Sequence, residues 1–432
     1  MTPLSARRRF ALVSFLTWLP AGLMIAPQVL LMLDRGLSIV EVGLVMTVYS
    51  VVIAVLELPT GGLADAVGRR VVLALAAACT AAGLAGLVLA STFWGFLVAC
   101  AVLGVARALS SGPAEAWYVD TLHALEGPDA DLKPGLARGL MLEDVALCAG
   151  VVAGGALPLA GAAFGGLDPL AVPILLGAVA AVGWLVVVLV ALPEPPHERA
   201  SLGGLLRGVP ATVTSGVLLA VRDGMLRRLV LLSAAIGMAL TCVELLVPGH
   251  LAGLTGSAEL GATAYAVLAA LGFAGSALGS ALAPATARLL TPKPVGTPGE
   301  AARSVRGAAA GLVLGGVALA GMALAAAFAE GPGLGAIVLA GLPYVVLFVG
   351  LGVHGVLKAE LTHHRVTSAE RATMSSTTSL AGSGGAALAN LTLAPLALGL
   401  GTSAAWWLVA AVVAASAALL HRVPAAFPSR SP

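Results

Sequence analysis

Charged side chains are scarce in this chain: Asp, Glu, Lys and Arg together make up 10% of its 432 residues. A soluble domain usually carries roughly 25%, so polar groups cannot cover a globular surface of this size. Aromatic residues are also few, at 4%, and no aromatic cage for a cationic ligand is legible. The four cysteines, Cys79, Cys100, Cys148 and Cys242, fall inside apolar stretches without C-x-x-C or metal-ligand spacing. They read as small hydrophobes packed between helices, and they imply neither a disulfide framework nor a metal site. A G-x-x-x-x-G-K-[ST] phosphate loop is missing, which argues against nucleotide-driven work by this chain. Nucleophile elbows and haem-ligand pairs are missing too, so we expect no enzyme and no cofactor. The net charge of +2 gives no nucleic-acid signal, because the charges sit in short clusters between apolar runs.

Apolar residues, by contrast, make up 59% of the chain. They recur in runs of about 20 residues, each long enough to cross a hydrocarbon core of roughly 30 Å as a helix. A helix satisfies its own backbone hydrogen bonds, which lipid cannot do. The runs and their breaks predict spans over 10–33, 41–64, 71–90, 94–120, 140–162, 169–192, 229–252, 259–285, 306–328, 334–358, 371–396 and 402–421. Ser5-Ala6-Arg7-Arg8-Arg9-Phe10 resembles a twin-arginine export signal. Its apolar run, however, continues for about 23 residues, well past the 7–15 of a signal core. We read residues 10–33 as the first span. The fold class expected is an all-α membrane protein of twelve transmembrane helices.

The breaks alternate in character. Ser91-Thr92, Phe164 to Asp168, Gly253 to Ala258, Glu330 to Gly333 and Gly399 to Ser403 are tiny and nearly uncharged. Arg69-Arg70, Lys133 with Arg138, and the stretches Arg199–Arg228, Arg288–Arg306 and Arg365–Arg371 are basic. Basic residues mark cytoplasmic loops. Only Arg35 then faces outside, Arg107 lies within a span and Lys358 sits at a span end; the rest gather on the cytoplasmic side. Both termini are therefore expected inside. Arginine outnumbers lysine and alanine is abundant, a composition associated with GC-rich bacterial genomes, so the membrane expected is a bacterial inner membrane.

Residues 193–228 divide the chain into two sets of six spans, 1–192 and 229–432. Pro193-Glu194-Pro195-Pro196 stops the sixth span, since proline lacks a donor and blocks helix continuation. Beyond it, Leu202, Leu205, Leu206 and Val209 recur at helical spacing beside Arg207, which reads as an amphipathic linker helix on the membrane surface. This layout suggests two parallel repeats related by an axis along the membrane normal, hence two pseudo-symmetric six-helix bundles. Ala137-Arg138-Gly139 and Glu370-Arg371-Ala372 open corresponding spans and support that symmetry.

The most specific stretch is Gly61-Gly62-Leu63-Ala64-Asp65-Ala66-Val67-Gly68-Arg69-Arg70. Gly61 and Gly68 allow close helix approach and a tight turn, Asp65 can cap or pair, and Arg69 and Arg70 hold the loop at the headgroups. The stretch resembles the signature loop of the major facilitator superfamily, G-x-L-A-D-x-x-G-R-R, with Ala66 where the family usually carries a basic residue. The resemblance implies a secondary transporter with a conformational latch. Its Asp and first Arg would join an acidic residue ending the fourth span, for which Asp120 is the match to Arg69. Asp65 would face the start of the eleventh span near Arg371. Arg107 followed by Ser111-Gly112-Pro113 resembles the family's fourth-span motif loosely. Gly150, Gly154-Gly155 and Pro158 resemble in part its antiporter motif. Glu57-Leu58-Pro59-Thr60-Gly61 and Arg371 to Ser376 look like segments of bacterial drug-efflux-type members.

Ionisable residues inside a span cost at least roughly 2.5–3.5 kcal/mol to insert, so they normally face the bundle interior with a partner. Arg107 is placed roughly 20 Å from the end of its span, near mid-membrane. It reads as a substrate or coupling residue, or as a structural clamp. Glu57 and Glu115 are candidate proton carriers, because low dielectric lets a carboxylate load and release near neutrality; interhelical pairing would also explain them. Glu244, in the outer half of the seventh span, and His354, near the inner end of the tenth, are further candidates. The function expected is alternating-access transport of a small solute by a monomer in the bilayer, with proton-coupled efflux first and metabolite uptake by symport or uniport second. A channel and a polytopic membrane enzyme are the competing classes.

Overall fold

Short polar caps and glycine turns cut the apolar chain into helices. The computed structural model describes residues 1–127, 129–193, 218, 223–290, 296–328, 333–365 and 368–421. Among them, 12 helical segments are long and apolar enough to cross a membrane, from Pro3–Asp34 to Thr402–Leu420. Each expected span overlaps one of these segments, and the described residues contain no strand. The chain is an all-α, multi-pass membrane protein. The linker reading at Leu202, Leu205, Leu206 and Val209 lies outside the described residues.

Helix starts follow local chemistry. Ser38 and Glu41 form a reciprocal capping box at the head of Ile39–Val67, each satisfying a backbone N–H of the other. Thr92 caps Phe93–Ser110 by accepting from the Gly95 N–H. Asp223 accepts from the backbone N–H groups of Met225 and Leu226, at 2.8 and 3.2 Å, ahead of the seventh span. Gly68 ends one helix and begins the next, with φ 102° and ψ 144°. No other residue type enters that region readily, so the second and third spans meet with a single residue between them.

Several spans are less regular than their apolar runs suggest. The fourth is two helices, Phe93–Ser110 and Pro113–Glu126, rather than one. Gly112 turns with φ 94°, and Pro113, which lacks an N–H, stands in the first turn of the second piece. The first span is interrupted near Pro27, and the fifth runs into a 3-10 stretch at Leu157–Phe164. Lys358, expected at a span end, lies within the segment Gly335–Thr362.

The chain forms two compact units: Met1–Ala211 with Leu251–Val267, and Thr212–His250 with Leu268–Pro432. Within the first unit, the first span packs on the fifth and sixth, the third on the fourth and sixth, and the second on the fourth. Within the second unit, the ninth packs on the tenth and twelfth. Glycine permits the closest approaches. A Cβ added at Gly22 would stand 2.9 Å from Gly150 Cα, and one at Gly237 would stand 2.1 Å from Gly382 O. The first pair joins the first and fifth spans, and the second joins the seventh and eleventh. Both contacts join spans four apart along the chain, the close backbone packing that lipid-embedded helices rely on.

Candidate functional site

The broken fourth span lines a cavity inside the first unit. Non-helical backbone at membrane depth is tolerated only where protein or a water-filled space satisfies it. Both are present here. The hydroxyl of Thr60 donates to Ala108 O at 2.9 Å and that of Ser110 to Arg107 O at 2.9 Å, covering carbonyls freed by the break. Ser111 and Gly112 are exposed to a cavity of about 300 Å³, which Arg107, Glu115 and Glu143 also line. A smaller space of about 60 Å³ adjoins it, sharing Thr17, Trp18, Arg107 and Ser110 and reaching Trp184, Tyr49 and Thr80.

Arg107 stands where the two spaces meet. Its guanidinium carbon lies 4.5 Å from the centroid of the Trp18 ring, a cation–π contact. Glu143, on the fifth span, is half-buried and feels the Arg107 charge, with Ser14 and Trp18 flanking its carboxylate. The Ser14 side chain is 1% exposed and stands against the Glu143 carboxylate. Trp184, also 1% exposed, has an indole N–H without a partner. A buried donor that no protein group satisfies ordinarily finds a polar partner.

The signature loop is tied at one end of the same unit. Arg69 Nε donates to Asp120 Oδ2 at 2.7 Å, the partnership expected from the sequence. Arg70 donates to Leu189 O, Arg9 donates to Ala191 O, and the Trp117 indole N–H donates to Pro193 O at 2.9 Å. These last three side chains converge on the carbonyls at the end of the sixth span. Gly61, Asp65 and Arg371 lie on described helices, but their side chains are outside the described set.

The remaining candidates do not join this cluster. Glu57 is half-buried on the second span. Glu115 reaches the cavity from the first turn of Pro113–Glu126, where the helix dipole favours a carboxylate. In the second unit, Glu244 is exposed, although Thr241 to Val243 and Leu245 to Val247 around it are buried. His354 is fully buried, with Nδ1 3.0 Å from Ala308 O and Nε2 unpartnered. A carbonyl only accepts, so Nδ1 carries the proton. One turn further on, Lys358 Nζ donates to Ser233 Oγ at 2.5 Å, linking the tenth and seventh spans. No cluster of His, Cys, Asp and Glu suited to a metal exists among the described residues.

Sequence reasoning missed Ser14, Trp18, Glu143 and Trp184, and it underrated Lys358. Glu143 had a signal, an acidic residue within the apolar run of the fifth span. Ser14, Trp18 and Trp184 had none, since an apolar span offers many such residues and only packing selects the inward ones.

A helical membrane protein whose broken helix borders a polar cavity matches the architecture of carriers. The family model described as Major Facilitator Superfamily matches residues 10–390, and the chain belongs to that family. No curated protein matches it. Among solved structures, it resembles the nucleoside transporter NupG (TM-score 0.73, 13% identity, 96% of this chain and 98% of that one). It also resembles a POT family transporter in complex with 5-aminolevulinic acid (TM-score 0.70, 15% identity, 96% and 95%). A peptide transporter POT in complex with sulfate is similar as well (TM-score 0.68, 15% identity, 96% and 93%). At these identities the likeness is one of fold.

Proposed function

We propose that this chain is a secondary transporter that moves a small organic solute by alternating access, with the Arg107 cavity as its binding site in the first unit. The observation that carries this reading is the interrupted fourth span, whose Ser111 and Gly112 open onto the same space as Arg107, Glu115 and Glu143. Discontinuous helices near mid-membrane are where carriers place their ligands, because helix ends bring free backbone groups and partial charge to the site.

Proton-coupled efflux is the direction and coupling we assign. Glu115 supports it, being a carboxylate that faces the cavity and can take up a proton as solute leaves; Glu57, Glu244 and His354 are further coupling candidates. The Arg69–Asp120 pair, with Asp65 and Arg371, would act as the conformational latch. The crowding of basic residues into alternate loops supports a bacterial inner membrane with both termini cytoplasmic.

The test is a growth screen of an efflux-deficient host expressing the chain against many compounds, repeated with Ala114→Trp to fill the cavity. Protection by the native chain, lost in Ala114→Trp, supports a carrier working through this site. Sensitisation instead of protection would reverse the direction to uptake. Purified protein should release protons on solute addition, and Glu115→Gln or Glu57→Gln should abolish the release; unchanged release in both removes these carboxylates as couplers.

A further inference from the structure

Charge and hydrogen-bonding capacity change along the cavity at the Arg107 junction. On the side of the larger space stand two carboxylates, Glu115 and Glu143. On the side of the smaller space no carboxylate lines the wall, and the unpartnered polar group is the Trp184 indole N–H, which can only donate. Arg107, another donor-only group, separates the two. Its cation already lies over the Trp18 ring and within the field of Glu143. With Arg107, Glu115 and Glu143 as the charged lining, the formal balance is one negative charge in excess. Apolar side chains line both spaces as well, Phe10, Leu136 and Leu140 the larger and Met24, Leu84 and Leu103 the smaller.

We propose that the solute is a small amphipathic amine, whose ammonium is received by Glu143 beside Ser14 and whose opposite end presents a hydrogen-bond acceptor to Arg107 and Trp184. This rests on the carrier reading above. A lone anion would be repelled by two carboxylates, and a neutral apolar solute would leave the Trp184 indole N–H unpaired. A protonated amine supplies the missing positive charge, and it donates to the oxygens of Glu143 and Ser14. An ether or carbonyl oxygen answers the donor-only end. Glu143 is thereby assigned as a specificity-determining residue. The volume of about 300 Å³ confines the solute to one ring or a short chain with its two polar ends.

Three matched probes read the two ends separately, using the full-length protein purified in lipid nanodiscs. 4-Methoxyphenethylamine carries both features, 4-ethylphenethylamine lacks the acceptor, and 3-(4-methoxyphenyl)propionic acid replaces the cation with an anion. Binding is followed by the shift in melting temperature and by isothermal titration. The first probe should bind most tightly, the second about 10-fold more weakly, and the acid not measurably. Glu143→Gln should weaken the first probe by at least 10-fold, as monitored in protein that elutes as a single species. Trp184→Phe should leave the second probe unchanged and remove the advantage of the first. Equal or better binding of the acid, full retention in Glu143→Gln, or no binding of either amine to the native protein overturns the assignment. Protection in the growth screen that is lost in Ala114→Trp would still uphold the carrier reading in each of those cases, so the two can fail separately.

Discussion

Arg69 Nε donates to Asp120 Oδ2 at 2.7 Å, joining the head of the third span to the second half of the fourth. Three residues before Asp120, the Trp117 indole N–H holds Pro193 O, and the residue after Arg69 holds Leu189 O. The third, fourth and sixth spans are thus tied where the sixth span ends. With side-chain exposures of 23% and 42%, the ion pair contributes no more than about 1 kcal/mol to stability. Its consequence is expected in the cycle of conformations. Arg69→Asp or Asp120→Arg should each lower the transport rate by about 10-fold with little change in melting temperature, and the exchanged double variant should recover much of the loss. Initial rates in proteoliposomes, set beside melting curves, measure both.

Arg35 is the one basic residue expected at the opposite end, and its contacts explain the exception. Its guanidinium donates to Leu87 O, Val88 O and Ala90 O, at 3.2, 2.8 and 2.5 Å, and to Asp168 Oδ2 at 3.0 Å. It neutralises the free carbonyls that end the third span and binds the residue that starts the sixth. Removing it leaves several part-buried acceptors without a donor. Arg35→Ala should destabilise the protein by about 2 kcal/mol, read as a fall of several degrees in melting temperature. Asp168→Asn, which leaves the carbonyl contacts intact, should cost less.

Close glycine contacts make sharp predictions because backbone cannot move aside. At Gly237 even a methyl group would meet Gly382 O at 2.1 Å. Gly237→Leu should cost at least about 3 kcal/mol through overpacking and abolish a monodisperse elution peak. Gly183, with nothing within 4 Å of its would-be Cβ, is the control. Gly183→Ala should elute as the native protein does and melt at the same temperature or slightly higher, since alanine favours helix.

Arg107 tests shape against charge. Arg107→Lys keeps a cation but loses the guanidinium contact with Trp18 and several of the five N–H donors. Transport efficiency should fall by about 10-fold, equivalent to about 1.4 kcal/mol, while the melting temperature changes little. Initial-rate kinetics at varied solute concentration decide it. A rate matching the native chain would reduce Arg107 to a bystander.

Much of the fold was legible because lipid imposes a simple rule. Twelve apolar runs had to become helical crossings, and the Gly68 turn had to be a glycine for two spans to meet so tightly. The resemblance of the signature loop to that of the family implied the Arg69–Asp120 partnership. The interruption of the fourth span was less legible. Ser111-Gly112-Pro113 held the signal for it, yet the apolar run continues on both sides and hydropathy alone reads straight through. Glu143, Ser14, Trp18 and Trp184 were harder still, since they come from three different spans.

The sequence by itself determined that the chain is a helical membrane protein, how many times it can cross and which family it belongs to, because hydrophobicity and a contiguous motif are local properties. Only the tertiary structure decided that the fourth span breaks beside a cavity, that Arg107 lies over Trp18 there, and that Glu143 stands near it. Those facts depend on which face of each span turns inward. Inside a membrane, both faces are apolar, so packing of glycine and small residues sets that choice rather than any pattern readable along one strand of sequence.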